Sequence, residues 1–273
     1  MPRRGKPSLR DTQAQFGRQA RHYAQSTLHR RGETLDTILE LATVQRDERV
    51  LDVGTGAGFT AFALAPLAGR VLATDPTPEM LAEARRLAAQ AGRAEAVEWA
   101  LCAAESLPLA DASVDLLTCR YASHHFHDLP KALREFARVL RPGARAVICD
   151  VVAPETAPII ELMNALEVKR DPTHVWNYPL SHWRNELLPK AGLQPRKVVR
   201  GKNPQLFSEW VHRAGTAAEA IPELIEMFTK APEEARQAFA VRWDGAEIYF
   251  AWDNVVILAM RELPGTPPAA ADK

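Results

Sequence analysis

The feature that most constrains the fold is a glycine-rich turn between an apolar run and a helical pattern, in VLDVGTGAGFTAFAL at 50–64. Gly54, Gly56 and Gly58 occupy alternate positions after the apolar run. Glycines at a strand-to-helix turn let a ligand approach the backbone closely and leave N–H groups of the helix free to bind it. The segment therefore predicts a buried strand, a ligand-binding turn and a helix.

Short apolar runs alternate with amphipathic segments after this turn. The predicted strands are the apolar runs at 49–54, 70–75, 97–102, 114–120, 144–152 and 195–200, with further strands in 247–262. Strands that alternate with helices predict right-handed crossovers and a parallel sheet with helices on both faces. We expect an α/β fold with a Rossmann-like, doubly wound, mostly parallel sheet of about seven strands, the last of them antiparallel.

These patterns divide the chain into a core and two insertions. The expected segments are a disordered basic arm at 1–15, a ligand-binding core at 16–152, a cap insertion at 153–180, core at 181–200, a helical cap insertion at 201–246, core strands at 247–263 and a disordered tail at 264–273. An insertion as long as the second cap rarely serves only as a connection in a compact fold. We expect both insertions to cover the carboxyl ends of the strands, where such sheets bind ligands. Asp253 and Asn254 are predicted to form a hairpin turn between two strands.

The residues of the turn discriminate between two kinds of ligand. A dinucleotide fingerprint, G-x-G-x-x-G, needs a third glycine for close packing, and Phe59 stands at that position. A carboxylate such as Asp52 would repel a diphosphate and attract an ammonium group. The turn therefore favours a nucleoside that carries an amino acid. A nicotinamide-dependent oxidoreductase and a non-catalytic cofactor-binding partner protein remain as alternatives.

Composition excludes several other classes. The chain has 34 basic and 34 acidic residues, so no global field attracts a nucleic acid. No apolar run reaches the ~18 residues that a membrane helix needs. Cys102, Cys119 and Cys149 form no CxxC pair, which favours neither disulfides nor a metal site. We expect a cytoplasmic monomer or homodimer that acts on a small-molecule substrate, without nucleic acid, membrane span or metal.

Four motifs in order resemble a known family. VLDVGTGAGF resembles the first motif of the class I S-adenosylmethionine-dependent methyltransferases, and VLATDPTPEML resembles the next element. The segment CAAESLPLADASVDLLTCRYASHHFHD resembles the subfamily of quinone C-methyltransferases and antibiotic-sugar O-methyltransferases, and VLRPGARAVICD resembles its closing strand. The resemblance covers 16–152 well and the remainder weakly. It implies S-adenosyl-L-methionine as the cofactor.

The resemblance also assigns cofactor contacts. It implies that Asp75 accepts both ribose hydroxyls. The other implied contacts are Tyr23, Asp52, Gly54, Thr55, Gly56, Pro76, Met80, Ala103, Ala104, Glu105 and Arg120. Ala103 departs from the family, which has an acidic residue there for the adenine amino group. We expect the backbone of Ala104, packing contacts or Glu105 to hold adenine instead.

Methyl transfer to a hydroxyl needs a general base, which is most often a histidine oriented by a carboxylate. The candidates are His124 and His125 after the fourth strand, with Asp150 in the fifth. In the alternative interpretation, His125 packs under the cap and His124 only lines the pocket. The histidine and aspartate pattern favours O-methylation, with C-methylation of a quinone or phenol-like ring next. His174 or Trp176 in the cap is expected to contact the acceptor.

Overall fold

A computed structural model describes residues 7–25, 32–92 and 94–263 of the chain. The predicted disordered tail at 264–273 and the first six residues of the predicted arm lie outside these described residues.

The described strands form one eight-stranded sheet with the order β3-β2-β1-β4-β5-β8-β6, and β7 pairs with β8. Their bounds are β1 Arg49–Val53, β2 Arg70–Asp75, β3 Glu98–Leu101, β4 Val114–Arg120, β5 Leu140–Val152, β6 Leu193–Leu206, β7 Arg242–Asp244 and β8 Glu247–Arg261. Strands β1 to β5 run parallel, and β8 lies antiparallel between β5 and β6. The predicted α/β sheet of about seven strands with an antiparallel last strand is confirmed. The three-residue strand β7 is an eighth strand that was not predicted from the sequence.

Helices cover both faces of the sheet and one of its ends. Their bounds are α1 Leu9–Gln25, α2 Glu33–Ala42, α3 Phe59–Leu64, α4 Pro78–Gln90, α5 Leu129–Val139, α6 Ala157–Arg170, α7 over 180–190, α8 Phe207–Ala214, α9 Ala220–Thr229 and α10 Glu233–Ala238. Phe136 of α5 is fully buried on one face, and Ile38 of α2 on the other. A separate apolar cluster, which includes Trp210, Phe228 and Trp252, packs α6 and α8 to α10 against the first half of β8.

The predicted hairpin at Asp253 and Asn254 is wrong. Strand β8 runs without interruption, and these residues pair with Val152 and Val151 of β5. Buried and partly exposed positions alternate straight through the Asp-Asn pair, as in a single strand. Neither residue has the positive φ that a two-residue hairpin turn requires.

The predicted disordered arm is also too long, because α1 begins at Leu9. Ser8 and Asp11 form a capping box, in which Ser8 N donates to Asp11 Oδ2 at 2.8 Å and Asp11 N donates to Ser8 Oγ at 3.2 Å. Thr12 and Ala20 are buried on the inner face of the helix. The Ser-x-x-Asp spacing was the local signal for this start.

The second cap insertion begins later than predicted. Strand β6 continues beyond residue 200 to Leu206, although it contains Gly201 and Pro204. Proline is tolerated there because β6 is the edge strand of the sheet, where a missing N–H breaks no ladder on the solvent side. The three helices α8, α9 and α10 then form the insertion.

Candidate active site

Two cavities adjoin at the carboxyl ends of the parallel strands, under α1 and the cap. The first spans about 1010 Å³ beside the glycine turn and the second about 560 Å³ beneath α6 and α8, and both volumes include space open to solvent. Phe16, Tyr23, Tyr121 and His125 line both of them. This arrangement provides two adjoining spaces, as the transfer of a group between two ligands requires.

The glycine turn forms one wall of the first cavity. Gly54 has a φ of +66°, and a Cβ atom on it would lie 2.5 Å from the Cβ of Ala122. Gly56 has a φ of +53°, and its N–H donates to Asp75 Oδ2 at 2.9 Å. Thr55 lines the same cavity, and so does Phe59, the first residue of α3. The turn therefore depends on glycine at Gly54. The ring of Phe59 stands where a dinucleotide-binding turn would have its third glycine.

Asp52 presents a buried carboxyl to the first cavity. Thr55 Oγ1 donates to its Oδ2 at 2.6 Å, and Thr118 Oγ1 donates to its Oδ1 at 2.7 Å. Burial raises the pKa of Asp52 to about 6, although both hydrogen bonds lower it. A cationic ligand group here would stabilise the ionised carboxylate, since opposite charges attract strongly at low dielectric.

Asp75 lies at the end of β2 and lines the same cavity. Its two oxygens accept from the backbone N–H groups of Gly56 and Thr77, both at 2.9 Å. Burial raises its pKa above the usual value, against the effect of these hydrogen bonds. The backbone thus holds the carboxylate in one orientation, and each oxygen keeps a lone pair for a ligand hydroxyl.

The expected adenine contacts also line the first cavity. They are Pro76, Met80, Ala103, Ala104 and Glu105. Glu105 Oε1 also accepts from the N–H of Asp128, the N-cap residue of α5, at 3.3 Å. Glu105 therefore both accepts a hydrogen bond at the N-terminus of α5 and borders the cavity.

Arg120 and Tyr23 close the first cavity from two sides. Arg120 ends β4, and its Nε donates to Thr34 Oγ1 at 3.3 Å. Tyr23 of α1 packs its ring 5.4 Å from that of Phe16. Burial raises the pKa of Tyr23, so its phenol stays protonated. The structure brings both residues to the expected site.

His124 and Asp150 form a close pair at the second cavity. His124 Nδ1 donates to Asp150 Oδ1 at 2.6 Å, and the carboxylate also accepts from Ser123 Oγ and the N–H of Val151. Burial would lower the pKa of His124, but the charge and the hydrogen bond of Asp150, with the charge of Glu167, together outweigh it and raise the pKa above 6.5. Burial would raise the pKa of Asp150, and the same pairing holds it below 3.8. With Nδ1 engaged, Nε2 is the nitrogen that exchanges a proton.

His125 lies in a different environment one residue further on. Its Nδ1 lies 3.1 Å from the carbonyl oxygen of Thr173, which only accepts, so Nδ1 carries the proton. Burial, and then the charge of His124, lowers the pKa of His125 to about 4. The pKa values of the two neighbouring histidines are thus shifted in opposite directions, that of His124 upward and that of His125 downward, so His125 stays neutral.

His174 and Trp176 do not line either cavity. His174 is buried behind the histidine pair, and its ring lies 5.7 Å from that of His124. Its Nε2 donates to Asn164 Oδ1 at 2.9 Å. The N–H groups of Val175 and Trp176 donate to the carbonyl of His124, at 2.9 and 3.3 Å. His174 and Trp176 therefore do not border the space for an acceptor, as had been expected. They lie in the segment that supports His124 from behind.

Sequence reasoning missed eight residues that line the second cavity from α6, α8, the loop after α6 and the strands β6 and β8. These residues are Glu167, Arg170, Asn177, Asn203, Gln205, Trp210, Arg213 and Trp252. Tyr121 was missed too, although it follows β4 directly. It has a φ of +52°, and its hydroxyl accepts from Asn254 Nδ2 at 3.0 Å. Positive φ at a non-glycine residue is common at functional sites but leaves no local sequence signal.

Comparison with known proteins identifies the family. The family model described as "Methyltransferase domain" matches residues 51–148. The uncharacterized methyltransferase YcgJ of Bacillus subtilis is 35% identical over 248 residues, 90% of this chain and 97% of that protein. Its crystal structure has a TM-score of 0.81 and covers 84% of this chain and 98% of its own. The ubiquinone/menaquinone C-methyltransferase UbiE of Rubrivivax gelatinosus is 36% identical over 116 residues, 42% of this chain and 44% of that protein.

The chain belongs to the class I S-adenosylmethionine-dependent methyltransferases. S-adenosylmethionine is the cofactor, and the first cavity fits it. Among the described lining residues, Asp52, Asp75 and Glu105 supply carboxylates, and Arg120 is the only lysine or arginine. This donor set suits an ammonium group and a ribose diol, and it would repel a diphosphate.

No helix within 7–25, 32–92 and 94–263 is long and apolar enough to span a membrane. In the same part of the chain, no group of three or more metal-ligating side chains comes together.

Proposed function

We propose that the enzyme transfers the methyl group to an oxygen of a small-molecule acceptor bound in the second cavity. The observation that carries this proposal is the His124–Asp150 pair, because it orients a histidine with a free Nε2 at that cavity. S-adenosylmethionine, when bound, supplies an electrophilic methyl group. The chain must then position the acceptor and remove its hydroxyl proton.

Each side chain has a distinct task in this reaction. Asp52, Asp75 and the glycine turn would hold the cofactor in the first cavity. His124 Nε2 takes the acceptor proton, and Asp150 stabilises the imidazolium that results. His125 stays neutral at the junction of the cavities. It adds no charge beside the reacting groups.

C-methylation of a phenol-like ring is the second candidate. The similarity to a protein named C-methyltransferase favours it. A base that ionises a phenol would also activate the ring carbon. The two candidates therefore differ in the atom that receives the methyl group and share the role of His124.

The test uses methyl-labelled S-adenosylmethionine and a panel of phenols, hydroxy acids and sugars. NMR spectroscopy of the product distinguishes a methyl group on oxygen from one on carbon. We expect His124→Gln to lower kcat about 10²–10⁴-fold, the usual contribution of a general base. His182→Gln is the control, because His182 lines neither cavity. An unchanged kcat in His124→Gln would leave proximity as the source of catalysis and refute the base assignment.

Three further expectations stay predictions. The cysteines Cys102, Cys119 and Cys149 are free, which is compatible with a cytoplasmic location. The neutral net charge still argues against a nucleic-acid substrate. A monomer or homodimer is expected.

A further inference from the structure

The cap wall of the second cavity carries an excess of positive charge. Arg170 of α6 and Arg213 of α8 line it, and Glu167 is the one carboxylate among its described lining residues. Arg170 Nη1 donates to Glu167 Oε2 at 2.8 Å, and Trp252 Nε1 donates to Glu167 Oε1 at 2.6 Å. The charge of Glu167 is therefore committed to Arg170.

Arg213 has no comparable counterion. Its Nη2 donates to the neutral amide of Gln205 at 2.6 Å. Within the described ranges, no carboxylate oxygen lies within 4.0 Å of its guanidinium nitrogens. Burial, and then the charge of Arg170, lowers the pKa of Arg213, although arginine remains protonated in proteins. Arg213 is partly buried, and a cation in such a place without an ionic partner is costly, so a ligand anion would be favoured here.

The buried Asp171 does not supply that counterion. It lines neither cavity, and its Oδ1 accepts from the N–H and the Oγ1 of Thr173 at 2.9 and 2.7 Å. Its carboxylate therefore stabilises the turn after α6. The guanidinium of Arg213 still faces the second cavity without a direct ionic partner.

An amide in the same cavity is a second, independent indication of a polar ligand. Asn177 is 2% exposed and lines the cavity, yet its Oδ1 has no hydrogen-bond partner among the described residues. Its backbone is fixed by Asn164, whose Oδ1 accepts from Asn177 N at 2.6 Å. Buried polar atoms are almost always hydrogen-bonded, so a ligand group is expected at this amide.

Aromatic side chains complete the cavity. Phe16, Tyr121, Trp210 and Trp252 line it together with the polar groups. Rings of this kind bind flat apolar bodies through their faces and edges. The cavity thus combines aromatic walls, the guanidinium of Arg213 without an ionic partner, and the proposed base His124.

We propose that the acceptor is a flat hydroxylated acid whose carboxylate pairs with Arg213 while its hydroxyl faces His124. This inference rests on the proposed function, because it places the acceptor in the second cavity. The planar guanidinium can bind a carboxylate through two parallel N–H···O bonds. The Asn177 amide then takes a second polar group of the same acceptor.

The test compares matched acids and amides with the protein saturated in S-adenosylhomocysteine. The probes are benzoate, salicylate and 4-hydroxybenzoate, each paired with its carboxamide, and ligand-observed NMR measures their affinities. The variants are Arg213→Gln and Arg213→Lys. Arg196→Gln, at an exposed position of β6, is the matched control. Calorimetry with S-adenosylhomocysteine establishes that each variant is folded.

We expect the wild-type protein to prefer the acids by about tenfold or more, the worth of a charge-assisted hydrogen bond. Arg213→Gln should abolish the preference, Arg213→Lys should retain part of it, and Arg196→Gln should leave it intact. Equal binding of acids and amides, or no binding of either, overturns the inference, as does a preference that survives Arg213→Gln. Acids that bind through Arg213 but never receive a labelled methyl group would instead count against the proposed function.

Discussion

Replacing Asp150 by Asn tests whether the buried carboxylate sets the protonation of His124. Burial alone would lower the pKa of His124, and the charge of Asp150 together with its hydrogen bond contributes most to reversing that effect. We therefore expect the pKa of His124 to lie above 6.5 in the wild-type protein and to fall below 6.5 in Asp150→Asn. The amide keeps the shape of the side chain, so the result reports charge and hydrogen bonding.

The expected loss of stability follows from the four groups that donate to this carboxylate. They are Ser123 Oγ, Val151 N at 2.8 Å, His124 N at 3.1 Å and His124 Nδ1 at 2.6 Å. An amide offers one oxygen in place of two. At least one buried N–H then loses its acceptor, and the bond to His124 loses its charge, for a cost of roughly 2–4 kcal/mol.

The pH dependence of that cost has a definite sign. A raised histidine pKa adds stability that is present below 6.5 and lost as the pH rises through the folded-state pKa. A lowered carboxyl pKa adds stability that is present above 3.8 and lost as the pH falls through the folded-state pKa. The difference between wild type and Asp150→Asn should therefore be larger at pH 6 than at pH 9.

Two measurements check this expectation without any acceptor. NMR titration of the imidazole resonances gives the pKa of His124, with the exposed His22 as the internal control. Urea unfolding at pH 6 and pH 9 gives the free energies of unfolding. An unchanged His124 pKa in Asp150→Asn would refute the electrostatic reasoning, and so would an equal loss of stability at both pH values.

Further predictions concern the cofactor cavity. Because burial raises the Asp52 pKa from 3.8 to about 6, stability falls as the pH rises from about 3.8 through 6, and at higher pH the ionised carboxylate destabilises the free enzyme. Asp52→Asn should then raise the free energy of unfolding at pH 8 by up to about 3 kcal/mol and weaken S-adenosylhomocysteine binding, and a destabilised variant would contradict this. Gly54→Ala should cost roughly 2–4 kcal/mol in urea unfolding, because its Cβ meets Ala122 at 2.5 Å and its φ is +66°. Gly56→Ala, whose Cβ meets nothing within 4 Å, should cost only about 1–2 kcal/mol; equal costs for both would exclude the steric explanation.

Local signals predicted several of the residues that line the first cavity. Asp52, Asp75 and Arg120 stand in or at the ends of apolar runs, and the carboxyl ends of parallel strands meet along one edge of the sheet. Position in the sequence thus fixed their position in space. The predicted hairpin at Asp253 was wrong because a local signal was misleading there. Turn-forming residues also occur inside strands when neighbouring strands satisfy their backbone hydrogen bonds.

The sequence by itself determined the succession of strands and helices in the core, the glycine turn and the two neighbouring histidines. Only the tertiary structure decided that His124 pairs with Asp150, 26 residues away, while His125 bonds the Thr173 carbonyl. It also decided which cap side chains reach the acceptor cavity. Arg213 lies there because α8 packs against α6 and β8, and contacts between insertions leave no periodic pattern in the chain.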